Sequence, residues 1–269
     1  MISINTNYGG LFAAKAAQDS QRVIDDAMTK LSTGKRINAS KDDSAGQAIA
    51  MRLQGEVRGL AIASRNASDG QALIDTAEGA LGEAHNVLIR MRELAVQAQN
   101  GTLQASDKVA LGVEFDALEA EISRISDNTT WGGIQLLDGT YSDATPISFR
   151  VGASEDITHT MLNMAATAAL GFSTHTVDDA ATIALVDAAI ATVSEERAKL
   201  GAVSNRLDST VTNLDQIRVN LAASQGRIED ADFAQETGNL AKGQLLQQAA
   251  TAMLAQANAS KQTVLTLIR

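Results

Sequence analysis

Residues 186–221 read VDAAIATVSEERAKLGAVSNRLDSTVTNLDQIRVNL. A Val or Leu returns at every seventh position of this stretch, in the order Val186, Val193, Leu200, Leu207, Leu214 and Leu221. Residues seven apart lie on one face of an α-helix, so the run forms an apolar stripe that has to pack against another helix. Chance does not explain six consecutive apolar residues at this seven-residue spacing. The stretch therefore predicts a long helix that begins near residue 178.

The same spacing recurs elsewhere in the chain. A second helix is predicted from about Ser40, with Ser40 or Asp42 as its cap, to about Gln99. Its stripe is Leu60, Ala63, Ala67, Gly70, Ile74, Ala77, Leu81, Ala84, Leu88, Met91, Ala95 and Ala98. A third helix carries Leu111, Phe115, Leu118, Ile122 and Ile125, and an N-terminal helix carries Ala14, Ala17, Ile24, Met28 and Leu31. One proline in 269 residues favours long, unbroken helices.

These patterns define the predicted fold class. We expect a mainly α protein, a long antiparallel helical bundle or coiled coil. The pattern changes between the third and fourth helices, where residues 147–151 alternate with period two after Pro146. That alternation predicts a small β-hairpin region at about 134–175, which folds onto the helices because a lone hairpin is not stable.

Charge is distributed unevenly along the chain. Residues 41–226 hold 13 Lys and Arg against 25 Asp and Glu, whereas residues 1–40 hold five against three and residues 227–269 hold four against four. The middle is therefore self-repelling, and the two ends are nearly neutral and striped with apolar residues. Such ends are expected to seek a surface against which they can be buried.

The C-terminal segment has more apolar surface than one partner helix would cover. One row is Leu246, Ala250, Met253, Ala257, Val264 and Leu267, with Ser260 within it. A second row is Leu240, Leu254 and Ile268, with Gln247 and Lys261. The N-terminal stripe can cover one row, so the other predicts contact with a different molecule. A head-to-tail contact that repeats without closing produces a filament, and self-assembly is the resulting hypothesis.

Several other functions are disfavoured. An isoelectric point near 4.8 argues against nucleic-acid binding and against an anionic membrane surface, and no run of 18 apolar residues spans a bilayer. The three histidines, His85, His159 and His175, have no Cys or His partner at ligand spacing, and no phosphate loop or nucleophile elbow occurs. We expect no enzyme activity, no cofactor and no metal.

Motifs at both ends resemble those of the bacterial flagellin family. The N-terminal half contains Ile4-Asn-Thr-Asn7, Leu31-Ser-Thr-Gly-Lys-Arg-Ile-Asn-Ala-Ser-Lys-Asp-Asp-Ser-Ala-Gly46, Arg65-Asn-Ala-Ser-Asp-Gly70, Ala77-Glu-Gly-Ala-Leu81 and Arg90-Met-Arg-Glu-Leu94. The C-terminal half contains Leu200-Gly-Ala-Val-Ser-Asn-Arg-Leu207, Arg227-Ile-Glu-Asp-Ala-Asp-Phe-Ala234 and Ala252-Met-Leu-Ala-Gln-Ala-Asn258. The short middle indicates a short form that lacks the variable outer domains. Trp131-Gly132-Gly133 departs from the family's usual Phe-Asn-Gly.

The resemblance implies a domain organisation and an interface. Residues 1–40 and 228–269 would pair as a discontinuous inner-tube coiled-coil domain, and residues 41–227 would form a rod-like helical domain. The expected interface residues are Ile24, Leu31, Leu240, Leu246, Met253, Leu254, Val264, Leu267 and Ile268. Arg90, Leu94 and Glu114 match a surface that the animal Toll-like receptor for flagellin recognises in the family, although Ile89 stands where that motif has a polar residue.

The resemblance also implies partners and a location. The chain would polymerise with itself into the flagellar filament, a helical propeller for swimming, and would contact the flagellar cap and hook-junction proteins. A cytosolic export chaperone would hold its C-terminal helix until the flagellar type III apparatus exports it. The start of the chain, Met1 to Tyr8, lacks the features of a secretory signal peptide, so an extracellular flagellar protein is expected to leave by that route.

Two other classes of protein have similar heptad patterns. A hook–filament junction protein carries similar terminal helices, but the Lys-Asp-Asp-Ser-Ala-Gly and Ala-Asp-Phe-Ala motifs favour flagellin. A coiled-coil signalling module should also have a membrane span or an input domain, and the sequence shows neither.

Overall fold

The computed structural model describes residues 6–142, 144–152, 155–164 and 177–267. Within them the helices are α1 (Tyr8–Thr33), α2 (Ser44–Ala98), α3 (Ala105–Asn128), α4 (Ala180–Glu229) and α5 (Phe233–Leu267). The strands are β1 (Thr130–Trp131), β2 (Ile134–Gln135), β3 (Ile147–Arg150) and β4 (Asp156–His159). The prediction of a mainly α protein with paired terminal helices and a small β region is confirmed. The last part of the predicted β region, residues 165–175, lies outside the described residues.

The start of α2 differs from the prediction. The helix begins at Ser44, and its cap is Asp43, whose carboxylate accepts a hydrogen bond of 2.8 Å from the backbone N–H of Gly46. Asp42 does not cap the helix, because its carboxylate accepts hydrogen bonds from the backbone N–H groups of Asn38 and Ala39, at 3.1 and 3.0 Å. These two bonds lower the pKa of Asp42 and close the loop that precedes the helix.

The chain divides into two compact units. The terminal unit comprises residues 1–57 and 219–269, and the central unit comprises residues 58–218. Both α2 and α4 contribute residues to each unit.

The central unit has an antiparallel helical core. Arg92 on α2 pairs with Asp187 on α4 at 2.5 Å, and Glu78 pairs with Arg197 at 2.6 Å, so α2 and α4 run in opposite directions. Every predicted stripe residue of α2 from Ala63 to Ala98 is buried, and so are Val186, Val193, Leu200, Leu207 and Leu214 of α4. The heptad predictions are confirmed here. Since the ion pairs are half-exposed, the buried apolar stripes contribute most of the stability.

Two antiparallel hairpins cover part of this core. β1 pairs with β2 through Gly132 and Gly133, whose φ angles of 58° and 87° suit a two-residue hairpin turn. β3 pairs with β4, and Ile147, Phe149 and Ile157 point inward and are buried. The ring of Phe149 occupies the space that a side chain at Gly70 would need, because a Cβ there would lie 2.7 Å from Phe149 Cδ1. Gly70 therefore lets the hairpin pack closely on α2.

A buried polar pair also joins the second hairpin to α4. His159 Nε2 lies 3.2 Å from Glu196 Oε1, and both side chains are buried. Lys199 Nζ lies 3.7 Å from the other carboxylate oxygen of Glu196. The pair satisfies two groups that would be costly to bury alone.

The terminal unit pairs α1 with α5 in antiparallel orientation. Gln21 bonds to Gln247 at 2.7 Å, and Lys30 pairs with Glu236 at 3.2 Å. The contact seam consists of Gly10, Ala13, Ala17, Ser20, Ile24, Ala27 and Leu31 on α1, and Glu236, Leu240, Gly243, Gln247, Ala250, Leu254 and Ala257 on α5. A Cβ at Gly243 would lie 2.8 Å from Ile24 Cγ1, so a glycine there permits the close approach of the two helices.

The stripe predicted for α1 agrees with the observed seam at Ala17, Ile24 and Leu31 and differs from it at Met28. Met28 is 56% exposed, while the buried residues include Ser20 and Ala27. Ser20 tolerates burial because its hydroxyl donates a 2.8 Å hydrogen bond to Ala16 O. The apolar pattern therefore predicted burial of the large Met28 side chain, whereas the smaller side chains of Ser20 and Ala27 are the buried ones.

Backbone hydrogen bonds join the segment that follows α1 to the residues at and after the end of α4. α1 ends at Thr33 and is capped by Gly34, whose φ is 70° and whose N–H donates a hydrogen bond to Lys30 O. Arg36 N donates to Glu229 O at 2.7 Å, and Ala231 N donates to Gly34 O at 3.0 Å. Lys35 bonds to the Glu229 carboxylate and holds the pKa of that group below its usual range.

We predict that Gly70→Leu destabilises the central unit, because the new side chain overlaps the Phe149 ring. Overpacking of this kind costs about 1–3 kcal/mol. Gly79→Leu is the matched control, since a Cβ there meets nothing within 4 Å and a helical Gly→Leu change is favourable by itself. Thermal unfolding by circular dichroism should show a lower midpoint for the first variant alone. Equal midpoints would contradict the close packing of Phe149 on α2.

Candidate functional site: an apolar groove between the terminal helices

An apolar groove of about 520 Å³ lies between α1 and α5 in the terminal unit. Its rim is formed by Phe12, Ala16 and Val23 of α1 and by Leu246, Ala249 and Met253 of α5. The seam residues Ala13, Ser20 and Ala250 lie at its base and are buried. We call this feature the terminal groove.

The large side chains of the terminal groove are accessible. Phe12 is 78% exposed, Met253 is 64% exposed, Leu246 is 47% exposed and Val23 is 43% exposed. Full burial of one such side chain contributes about 1.5–3 kcal/mol, so four of them constitute a substantial unused driving force. Exposed apolar surface of this extent, next to a helix seam, is typical of an interaction site.

Charge does not oppose burial of this groove. Asp19 is the charged side chain in its lining, and it is bound by Arg22 and by Lys15 Nζ at 3.8 Å. The hydrogen bond from Arg22 is the main cause that lowers the pKa of Asp19. A partner surface that covered the groove would therefore meet apolar atoms and a neutralised carboxylate at the edge.

The predicted interface residues fall into two sets. Ile24 is buried and Leu31, Leu240 and Leu254 are half-buried, and all four lie in the seam within the chain. Leu246 and Met253 lie in the terminal groove and are exposed. Val264 and Leu267 lie on α5 beyond the residues whose side chains are described, and Ile268 lies outside the described residues. The role of the whole set in an interface stays a prediction.

The α1 side of the groove was not predicted. Phe12, Ala16 and Val23 are spaced by four and seven residues, which is itself a heptad pattern beside the seam. That additional row on α1 was the available signal, and it lies across the groove from Leu246 and Met253 of α5. Both terminal helices therefore carry an inner and an outer row.

The three residues matched to the receptor surface do not form one exposed set. Arg90 Nη2 lies 2.8 Å from Glu114 Oε1, its Nη1 lies 3.0 Å from Glu93 Oε2, and all three side chains are about half-exposed. Leu94 is 1% exposed and lies in the core of the central unit. The prediction that Leu94 presents a surface is corrected, because its side chain is needed for packing.

Other site types are not found among the described residues. No three His, Cys, Asp or Glu side chains there are grouped so that they could hold a metal ion. In the same part of the chain, no helix combines the length and apolar character of a membrane span.

The fold and the groove together define a class: a helical protein whose paired terminal helices carry an uncovered apolar surface. Comparison with known families matches residues 4–142 to the bacterial flagellin N-terminal helical region and residues 183–268 to the bacterial flagellin C-terminal helical region. The chain belongs to the bacterial flagellin family. This is a family of structural proteins of the flagellar filament and not of enzymes.

Individual relatives agree with this assignment. A flagellin of Bacillus subtilis (strain 168) is 41% identical over 311 aligned residues, which cover 100% of both chains. The flagellar filament 33 kDa core protein of Treponema phagedenis is 37% identical and covers 99% of each chain. A solved structure described as a putative flagellar hook-associated protein from Vibrio parahaemolyticus shares the fold, with a TM-score of 0.59 over 70% of this chain and 100% of that chain, at 16% identity.

We predict different stability costs for two neighbouring residues of α2. Leu94→Ala should lower the free energy of unfolding of the central unit by about 2–5 kcal/mol, because it leaves a cavity in the core. Arg90→Ala should cost less than about 1 kcal/mol, since its ion pairs are half-exposed. Chemical denaturation followed by circular dichroism measures both values. A small cost for Leu94→Ala would restore it as a surface residue.

Proposed function

We propose that this chain is the subunit that polymerises into the flagellar filament, and that the terminal groove is a contact between copies. The observation that carries the proposal is the exposure of Phe12, Val23, Leu246 and Met253 along one groove. The seam between α1 and α5 leaves these side chains uncovered. A neighbouring copy of the same helix pair offers the apolar surface that would bury them.

The charge distribution supports the same proposal. The acidic middle repels other copies, whereas the nearly neutral ends do not, so association is favoured at the ends. A groove that meets a different surface of the next copy forms a head-to-tail contact, which extends when it does not close into a ring.

We also propose the domain roles implied by the family resemblance. Residues 1–40 and 228–269 would form the inner-tube domain, and residues 41–227 would form the rod-like domain that joins subunits. The terminal unit supports an association of both chain ends, although it also includes residues 41–57 and 219–227.

Assembly of variants tests the role of the terminal groove. Purified wild-type protein, heat-dissociated and seeded with filament fragments, should elongate into long tubes in negative-stain electron microscopy. Met253→Asp should abolish elongation, because it would place an unpaired charge in the buried contact. Ala255→Asp adds the same charge at an exposed position of α5, on the flank of the seam that faces away from the groove, and it should still elongate.

The outcomes separate the hypotheses. Normal tubes from Met253→Asp would remove the groove from the interface. Short caps that stop growing would favour the hook–filament junction protein, and absence of assembly at any salt concentration would favour a signalling module. Leu254→Asp, which acts on the seam, and deletion of residues 240–269 should both prevent assembly while the central unit stays folded.

The remaining partners follow from the family and are proposals of the same kind. The chain would be exported by the flagellar type III apparatus without a cleaved signal peptide, after a cytosolic chaperone has held the C-terminal helix. The exposed row on α5 supports this proposal, since a helix with uncovered Leu246 and Met253 needs protection before assembly. In the extracellular filament the chain would contact the cap and hook-junction proteins.

Receptor recognition is the last proposal, and it has its own test. The Arg90–Glu114 pair is exposed on the central unit, so we expect moderate activation of the animal Toll-like receptor for flagellin by the monomer. Arg90→Ala should weaken the response in a cell reporter. A wild-type response at background level, with Arg90→Ala equally silent, would remove the proposal.

A further inference from the structure

A second groove, of about 480 Å³, lies in the central unit between α2 and the two hairpins. Its lining includes Asp69, Leu73, Trp131, Tyr141, Pro146 and Phe149, and we call it the Trp131 groove. The chain has one Trp, two Tyr, five Phe and one Pro in all, so the groove concentrates a scarce kind of side chain. Phe149, which is 7% exposed, belongs to the core, and Trp131 and Tyr141 pack against that core while staying partly exposed.

The rings of Trp131 and Tyr141 are only partly covered. Both residues are half-buried, whereas Leu73 and Phe149 beneath them are buried. The floor of the groove is held in place because Phe149 packs against Gly70 at the distance given above. Aromatic surface is thus presented on a fixed support, next to Asp69, the residue that precedes Gly70.

Asp69 supplies an unneutralised negative charge at this groove. The other charged side chain in the lining, Arg150, is paired with Asp156, whose Oδ2 lies 3.1 Å from Arg150 Nη2. The amide of Asn66 donates a 3.0 Å hydrogen bond to Arg150 O. The Asp69 carboxylate is exposed and forms no hydrogen bond or ion pair with any of the residues that the structure describes.

The groove combines an exposed carboxylate, which forms no ion pair with any described residue, with two partly exposed aromatic rings, and this combination matches one ligand chemistry. The faces of Trp and Tyr rings carry negative electrostatic potential and attract ammonium and guanidinium groups. A carboxylate at the rim adds a charge partner for the same cation. An anion or a neutral apolar group would gain from only part of this arrangement.

We propose that the Trp131 groove binds a Lys or Arg side chain of a second copy of this chain. The proposal rests on the filament assembly proposed above, and it adds a contact in the central unit. Copies whose middle segments are acidic repel one another unless opposite charges meet. Arg52, Arg58 and Arg65 of α2 are exposed and, within the described part of the chain, form no ion pair, so suitable cations are present. Arg65 lies four residues before Asp69 on the same helix and is not paired with it.

The assembly experiment uses Trp131 as its own reporter. Since the chain has a single Trp, all tryptophan emission comes from this groove. The emission maximum should shift when wild-type monomer is seeded into filament, and the shift should be smaller for Asp69→Asn. The critical concentration of Asp69→Asn should rise up to about fivefold, the factor that corresponds to the loss of an exposed charge pair while the aromatic rings remain.

Asp75→Asn is the matched control for the charge. Asp75 is an exposed carboxylate on the same helix and does not line the groove. It should polymerise and shift its emission as the wild type does. Circular dichroism of both variants checks that the central unit remains folded, which is expected because both positions are exposed.

A second measurement tests the ligand chemistry on the monomer. Protein labelled with ¹⁵N-tryptophan has one indole signal, and tetramethylammonium chloride should move it more than sodium chloride or tert-butanol at equal concentration. The effect should be lost in Asp69→Asn and kept in Asp75→Asn.

Each outcome decides the proposal. Filaments that form with no change in Trp131 emission, and equally well from Asp69→Asn, would overturn it and leave the proposed function intact. Failure of the wild-type protein and of both variants to assemble would overturn both proposals. A response to tetramethylammonium without any change on assembly would mean that the groove takes a free organic cation, and the second copy would be the wrong occupant.

Discussion

The pairing of α1 with α5 depends on a seam of small residues. Gly243 of α5 lies against Ser20 and Ile24 of α1, and Gly9 of α1 lies against Ala257 of α5, so the backbones approach closely because little side chain lies between them. The seam also holds Ile24, Leu31, Leu240 and Leu254, which are buried or half-buried. Phe12, Val23, Leu246 and Met253 stand outside it and are exposed. The helix pair therefore leaves several large apolar side chains exposed along the terminal groove.

The central unit is built in the opposite way. Its large residues, such as Leu81, Leu88 and Phe115, are fully buried, and its hairpins add Phe149 and the His159–Glu196 pair to the same core. Charge is left at its surface, where ion pairs such as Arg92–Asp187 are half-exposed and contribute little. The central unit thus buries large side chains such as Leu88 and Phe115 in its own core, whereas the terminal unit leaves Phe12, Leu246 and Met253 exposed.

Sequence patterns predicted the helices more accurately than they predicted which residues face inward at the ends. In the central unit the apolar residues are also the buried ones, so the stripe of α2 from Ala63 to Ala98 followed directly from heptad spacing. In α1 the rule that the larger apolar residue is buried selected Met28, whereas the helix buries Ser20 and Ala27. Leu94 shows the opposite error. The motif match assigned its side chain to a surface, whereas the side chain is buried in the core.

The sequence by itself determined the helical architecture, the family and the presence of an excess apolar row on the last helix, because heptad spacing and family motifs are local properties of the chain. Only the tertiary structure decided which row faces α1, and that Phe12 and Val23 join Leu246 and Met253 in one groove. It also brought Asp69 together with Trp131 and Tyr141, which are more than 60 residues away in the chain. Contacts between distant segments depend on helix phase and on close approach at glycines such as Gly70 and Gly243, and a one-dimensional pattern does not specify either.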